Sequence, residues 1–497
     1  MRNFFKRNRF IIILLATTFF LRLPSLFEPY SYGDEGIYLT LGLAIKKGLL
    51  LYRDVYDNKP PLIYLLAAAA GAQLFWFRFF LMSSILSSIY LFYRLSQKLF
   101  SLRSWAPKAT TIVFTLLTTF PLTEGNIANS EIFILLPTLL GFWLVFNLLE
   151  TKNKKTKPKL KGFFVAGLIL SLGFLLKVPA VFDFLALLGY LFFFYQPKKL
   201  FNFEKKSLFL ISGYGLPIVF TGLYFWARGA LAEFFDSCFR QTFGYLSSWE
   251  TGSGASSIFS LLRTDMSYRG IMLLFSLALL WWKRKSLEKS LLFVSLWFVF
   301  SLFGATLSGR PYPHYLIQLT PALALGIGFF SLKKRKVAIV SFSLLIFLLG
   351  VALARYRFWF YATTPYYQNF IQFVIGKKSK EEYFRHFNGQ MNQIYRLAEF
   401  IGASTKENER VFVWGNEPYL YPLSKRLPAT PNTVAYHIME RHQYQETAQE
   451  LREQKPPLVV VDQSLETFSE LQELLFQDYQ EFEDFDGLRV FLRKNHQ

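Results

Sequence analysis

At 497 residues, with hydrophobic residues at 52%, aromatics at 19% and a mean hydropathy of +0.26, the chain is too apolar for an ordinary soluble protein of its size. The formal net charge of +21 does not indicate nucleic acid, because the Lys and Arg residues fall in short clusters between apolar runs, as in the cytoplasmic loops of multi-span membrane proteins. A single cysteine, Cys238, excludes an internal disulfide framework and a thiolate metal cluster; it reads as a small buried hydrophobe.

Arg2, Lys6, Arg7 and Arg9 precede the apolar run "FIIILLATTFFLRLPSLF", which ends without a small-residue cleavage site. The pattern predicts a retained first span with a cytoplasmic N-terminus, so Asp34 and Glu35 emerge on the outer face. Basic clusters then set the weave: Arg94, Lys98, Arg103 and Lys108; "KNKKTKPKLK" at 152–161; Lys198, Lys199, Lys205 and Lys206; "KRK" at 283–285; and "KKRK" at 333–336. With all five in the cytoplasm, spans are predicted near 10–28, 79–97, 109–123, 131–149, 162–176, 180–196, 207–227, 268–282, 289–307, 314–331 and 337–355. The expected architecture is thus a polytopic α-helical membrane protein of about eleven transmembrane helices, with domain 1–355 in the membrane and a first outer loop near 29–78. The run "PLIYLLAAAAGAQLFWF", 61–77, would invert the strongest basic cluster if it crossed, so it is read as an interfacial or re-entrant helix.

From about residue 356 charged residues become frequent and apolar runs shrink to strand length, as in "RVFVWG" (410–415) and "PLVVVD" (457–462), with a helical stretch at 436–454. Residues 356–497 are therefore expected to form a small extracytoplasmic α/β domain. No internal repeat and no Gly-rich phosphate loop is present, which argues against a nucleotide-driven pump.

On the predicted outer side lie Asp34 and Glu35, the loop "YRDVYDNKPP" (52–61) with Asp54, Asp57 and Lys59, "TEGNIANSE" (123–131) with Glu124 and Glu131, Lys177 and Asp183, and "SGRPYPHY" (308–315) with Arg310, Tyr312, His314 and Tyr315. Ionisable groups at membrane depth are costly unless they pair or line a wet cavity, which makes these residues functional candidates. Blander readings stand beside that one. Asp57 fits a solvated loop acid and Glu124 a helix-end carboxylate; Lys177 could snorkel to headgroups, and His314 could anchor the interface with its tyrosines. The adjacent acids Asp34 and Glu35 have no basic neighbour in sequence to neutralise them.

Outside the cytoplasm no nucleotide is supplied, so a transfer reaction there needs a donor carried by the membrane, such as a sugar on a lipid phosphate. An acceptor hydroxyl attacking the anomeric carbon needs a positioned base, which an aspartate supplies. The departing phosphate needs cations, and Lys59, Lys177, Arg310 and His314 are the candidates. That reading requires these acids and cations to converge beneath the outer leaflet. The layout "GDEGIY…AIKKGLLLYRDVYDNKPPLIYLL", with the later "NSE" and "GRPYPHYLIQLTPAL", resembles the GT-C superfamily of polytopic glycosyltransferases. It is most similar to the bacterial branch of protein O-mannosyltransferase-like and aminoarabinose lipid A transferase-like enzymes, over residues 1–355.

The resemblance implies a catalytic aspartate at Asp34 with Glu35 beside it, first-loop helices lying on the membrane surface, and a polyprenyl-phosphate-linked sugar donor used with inversion. By the resemblance Glu131 corresponds to the second-loop acid and Lys177 to a lysine near the phosphate; with the cations read above, the expected donor-phosphate contacts are Lys59, Lys177, Arg310 and His314, and the expected substrate contacts Asp54, Glu131, Tyr312 and Tyr315. Relatives in the wider superfamily bind a divalent metal ion, and its presence here is left open. The expected partners are the lipid donor, the bilayer and an extracytoplasmic glycan, lipid or protein acceptor, with no nucleic acid; the expected location is the bacterial plasma membrane. A polyprenyl-linked glycan flippase, a glycan polymerase or ligase, and a sensor with a ligand-binding outer domain are the competing readings.

Overall fold

The computed structural model describes residues 2–101, 104–150, 160–195, 200–240 and 265–494. Arg103, residues 152–159 of the strongest basic cluster, and Lys198 with Lys199 lie outside the described residues. The chain divides into two compact units. One comprises Met1–Leu23, Leu81–Ala227 and Cys238–Thr363; the other comprises Pro24–Phe80, Arg228–Ser237 and Thr364–Gln497. Residues 24–80, which the sequence reading kept with the membrane domain, therefore group with the C-terminal part.

The first unit is helical. Among the described residues, five helices are long and apolar enough to cross a membrane: Asn8–Leu26, Leu74–Leu99, Ser130–Leu149, Glu204–Ala227 and Arg335–Tyr356; Leu160–Leu176, Val178–Phe193 and Lys289–Ala305 are shorter and apolar. The predicted spans overlap helices over the described residues, but 109–123 leaves its helix after Thr119 for the 3-10 turn Pro121–Thr123, and 314–331 is broken into Pro313–Leu319, Thr320–Ile327 and Gly328–Ser331, the first and last of them 3-10 turns. Helices Leu160–Leu176 and Leu200–Ala227 pack backbone to backbone, because a Cβ on Gly167 would overlap Leu210 O and one on Gly213 would overlap Phe164 O. Small residues serve this purpose in membranes, where burial from water does not drive helix association.

Segment 61–77 is not one helix. Leu62–Ala69 forms eight residues of helix, too short to cross at about 1.5 Å per residue; the chain turns at Gly71 (φ +72°), and Leu74 already begins the helix that ends at Leu99. Leu62–Ala69 packs on the helix Gly33–Lys46, where Gly42 allows the approach: a Cβ there would lie 2.8 Å from the Ala67 carbonyl carbon.

The C-terminal part of the second unit is an α/β sandwich. Its strands are β1 (Arg410–Trp414), β2 (Leu427–Pro428), β3 (Leu458–Asp462), β4 (Tyr479–Asp484) and β5 (Leu488–Arg493). Their order is β2-β1-β3-β5-β4, with β2, β1 and β3 parallel and the β4-β5 hairpin antiparallel. Strand alternation splits the core into two layers. Val411, Val413, Leu458 and Val460 pack with Met391, Ile394, Leu397 and Ile401 of the helix Met391–Ser404. Phe412, Trp414, Val459 and Val461 pack with Leu451, Leu471, Leu474 and Leu475. The helix expected over 436–454 is two, Ala435–Arg441 and Tyr444–Gln454, separated where His442 takes φ +54°. That break brings the first of the pair, with His437, up to the 52–61 loop.

Candidate active site

The predicted site residues are spread over both units. In the second unit, Tyr32 precedes the helix Gly33–Lys46, placing Asp34 and Glu35 in its first turn, where carboxylates suit the helix dipole. The two acids have different fates. Glu35 is 2% exposed and accepts from Arg78 Nε at 2.8 Å and Nη2 at 2.5 Å. Arg78 also pairs with Glu28 at 2.8 Å and donates to Ser25 O at 2.8 Å, and the Tyr366 hydroxyl donates to Glu28. Glu35 thus belongs to a buried ionic knot.

The Asp34 side chain is 28% exposed; its Oδ2 accepts from the Tyr38 hydroxyl at 3.2 Å and lies 3.7 Å from Lys59 Nζ. Lys59 Nζ is also 3.7 Å from Asp57 Oδ2, and 5.0 Å from the Tyr38 ring centroid. Local hydrogen bonds fix that lysine: Tyr52 OH donates to Lys59 O at 2.8 Å, and Lys59 N donates to the Tyr64 oxygen at 3.1 Å. Tyr64 OH in turn donates to Asp57 Oδ2 at 2.8 Å, while Asn58 N donates to Asp57 Oδ1 at 2.8 Å. Burial, then the nearby Asp57 charge, holds the Tyr64 hydroxyl well above its ordinary range, so it stays a donor. Asp54, expected at the substrate, instead accepts from Arg53 Nε at 2.8 Å and from Leu50 N at 2.7 Å, closing its own turn. The Arg53 hydrogen bond lowers its carboxyl from the usual value.

In the first unit, the Pro121–Thr123 turn leads into Glu124 at φ +59° and then Gly125, whose Cβ position lies 2.7 Å from Phe120 O and 2.8 Å from Thr118 O, so no side chain fits there. Arg22, 1% exposed, donates to Gly125 O at 2.7 Å and Thr118 O at 3.2 Å, securing this turn to the end of the first helix. Glu124 Oε2 lies 2.5 Å from His314 Nδ1, and Asn129 Nδ2 donates to the same oxygen at 3.4 Å. His314 Nε2 is 3.4 Å from Glu131 Oε1, which also pairs with Lys177. Lys177 Nζ lies 4.2 Å from the Tyr315 ring centroid, and Tyr312 stacks on His314 at 5.6 Å between centroids. Lys177, Glu131, His314, Tyr312 and Tyr315 are therefore brought together. Arg310 precedes this segment, with its backbone N–H donating to Ser308 Oγ at 3.3 Å. Asp183 is held elsewhere, accepting from Trp297 Nε1 (2.6 Å), Gln318 Nε2 (2.8 Å) and Ser301 Oγ (3.0 Å).

Glu124 stands among the outer-face candidates in sequence and here meets His314, whereas Glu28, Arg78, Tyr64 and His437 do not stand among them. The signal available for Arg78 was a lone charge inside an apolar helix, the kind that needs a buried partner. No group of three or more His, Cys, Asp and Glu residues suited to a metal ion occurs among the described residues.

The fold has counterparts among solved structures. In particular, it matches ArnT from Cupriavidus metallidurans bound to undecaprenyl phosphate, with a TM-score of 0.55 and 13% identity over 97% of this chain and 98% of that one. The apo state of that protein matches at TM-score 0.55 and 13% identity, over 98% of both chains. The archaeal oligosaccharyltransferase AglB from Archaeoglobus fulgidus, in complex with an inhibitory peptide and a dolichol-phosphate, matches more loosely, at TM-score 0.46 and 12% identity over 99% of this chain and 75% of that one. The family described as "Putative competence-induced protein Ccs4 C-terminal domain" matches residues 392–494, which contain all five strands. No curated protein matches the chain in sequence.

Proposed function

We propose that this protein is a membrane glycosyltransferase that moves a sugar from a polyprenyl-phosphate-linked donor to a hydroxyl of an extracytoplasmic glycan, lipid or protein, with inversion at the anomeric carbon. It sits in the bacterial plasma membrane with a cytoplasmic N-terminus and its C-terminal domain outside. Asp34 takes the proton of the acceptor hydroxyl as that oxygen bonds to the anomeric carbon; the bond from that carbon to the phosphate oxygen breaks, and its electron pair leaves with the polyprenyl phosphate. Lys177, Arg310, His314 and Lys59 offset the charge of the departing phosphate. Glu131, Tyr312 and Tyr315 contact the substrate.

The observation that carries this reading is Asp34 itself, a partly exposed carboxylate held by Tyr38 and by a lysine that it shares with Asp57. The fold match to a protein solved with undecaprenyl phosphate supports the donor class. Membranes containing the wild type, incubated with a panel of labelled polyprenyl-phosphate sugars, are expected to pass label from one of them to an acceptor fraction. Asp34→Asn should lower that transfer by about 100-fold to 10,000-fold at equal membrane content. Transfer within a few-fold of wild type in this variant would remove Asp34 as the base.

A further inference from the structure

The C-terminal sandwich reaches the Asp34 cluster through one side chain that the reaction scheme above does not use. Its loop 429–434 meets the first loop by backbone pairing: Tyr56 N donates to Pro431 O at 2.9 Å, and Tyr56 and Asn432 form a parallel bridge. The helix Gly33–Lys46 is tied to the same domain, with Thr40 Oγ1 donating to Pro418 O at 2.9 Å and Gly36 leaving room for Pro418 and Tyr419. From this docked edge the helix Ala435–Arg441 presents His437, 3% exposed, with Nε2 3.7 Å from Asp57 Oδ1. The Tyr56 ring lies edge-on to the imidazole at 5.1 Å. Arg441 covers the Tyr56 ring at 4.0 Å.

Resting on the glycosyltransferase reading, we infer that His437 is a positioning residue for the base: its Nε2–H, facing Asp57, fixes how Lys59 is shared between Asp57 and Asp34. The groups around the imidazole are Asp57, Lys59, Arg441 and Asp34, with the Tyr56 and Tyr436 rings. Burial drives its pKa down to about 4, with the Lys59 and Arg441 charges acting in the same direction against Asp57 and Asp34. The ring is therefore neutral at physiological pH, with a single N–H. Nδ1 is buried without a hydrogen-bond partner, so the tautomer carrying the proton on Nε2 places it toward the carboxylate and leaves the bare nitrogen as the orphan. At 3.7 Å the contact is longer than a direct hydrogen bond and acts as a charge–dipole interaction in a buried setting.

A neutral donor on Asp57 matters because Lys59 stands at the same 3.7 Å from both aspartates. Remove the donor, and Asp57 draws Lys59 more strongly, so Asp34 loses part of its counter-charge and of its placement. A charged imidazole would have the opposite effect, satisfying Asp57 and leaving Lys59 to neutralise Asp34. The C-terminal domain thus acts inside the active site rather than as a detached acceptor-binding module.

The test uses the full chain in its membrane or in detergent, with four proteins side by side: wild type, Asp34→Asn, His437→Phe and His437→Gln. His437→Phe keeps the ring and loses the N–H, while His437→Gln keeps a donor near the Nε2 position. His437→Phe is expected to lower kcat by about 10-fold to 100-fold, with KM for the lipid donor within about 3-fold of wild type, the scale of a misplaced catalytic group. The acid limb of its kcat–pH profile should move to higher pH, and His437→Gln should restore both kcat and the limb. A His437→Phe enzyme with wild-type kcat and an unmoved limb overturns the inference. So does equal loss in both histidine variants with the limb unmoved, since that is the behaviour of a packing residue. If instead the wild type transfers no sugar, or Asp34→Asn remains active, the glycosyltransferase reading fails and the inference falls with it. An active wild type beside an inactive Asp34→Asn isolates failure to His437.

Discussion

Around Lys59 a single ammonium stands between two aspartates, whereas Glu124 and Glu131 are matched by Lys177 and His314. The first arrangement leaves a carboxylate without a full partner, and Asp34 is the more exposed of its two acids. Such a group is available to take a proton. In the second arrangement Lys177 already pairs with Glu131. A third set, Glu28, Glu35 and Arg78, is buried and closed to substrate; its role is to hold the turn that carries Asp34. Adjacent residues Asp34 and Glu35 thus have different surroundings, one partly exposed beside Lys59 and the other buried on Arg78, because a helix turn points them in different directions.

This contrast orders the expected effects of mutation. Arg78→Met strands two buried carboxylates and should lower stability by about 3–5 kcal/mol, read as loss of folded protein in a detergent thermal-shift measurement. Wild-type stability in that variant would show that the knot is not closed. Lys177→Met should raise KM for the lipid donor by about 10-fold and, because it removes one partner of the buried Glu131 carboxylate, should also lower thermal stability. Lys177→Arg should recover part of the loss, and a fall in kcat with KM unchanged would instead place Lys177 in the chemical step.

A smaller effect belongs to the C-terminal domain. Burial first, and the Asp462 charge second, raises the Glu417 carboxyl to about 7 from an ordinary value of 4.5. An acid raised on folding binds its proton more tightly in the folded state. Its stabilising contribution is complete below about 4.5 and is lost as pH climbs through about 7. Glu417→Gln, which mimics the protonated form, should therefore raise Tm by a few degrees at pH 8 and leave it unchanged at pH 4. A Tm gain of equal size at both pH values would contradict a titrating cause.

Much of this was legible from hydropathy alone, because spans need long apolar runs and the first-loop acids had no nearby base to explain them away. The strands 410–415 and 457–462 were visible for the same reason: buried central strands read as continuous Val-rich runs. The β4-β5 hairpin was passed over although Asp486 and Gly487, both at positive φ, form the Asp-Gly turn that marks such a pair. Its strand YQEFED is mostly exposed and carries no hydrophobic signature. The pairing of Glu35 with Arg78, 43 residues apart, and of Asp57 with His437 depends on tertiary contact and has no local mark. The meeting of Glu124 with His314 is likewise invisible in sequence order, because it depends on the left-handed backbone at Glu124 and on the Arg22 anchor.

The account stands most directly on separating binding from transfer at Asp34. With the labelled polyprenyl-phosphate sugar that the wild type uses, Kd for the lipid donor and single-turnover transfer should be measured together for wild type and Asp34→Asn. Binding within about 3-fold of wild type with transfer reduced at least about 100-fold is the predicted result. Undiminished transfer, or a loss of activity fully explained by weaker donor binding, would contradict it.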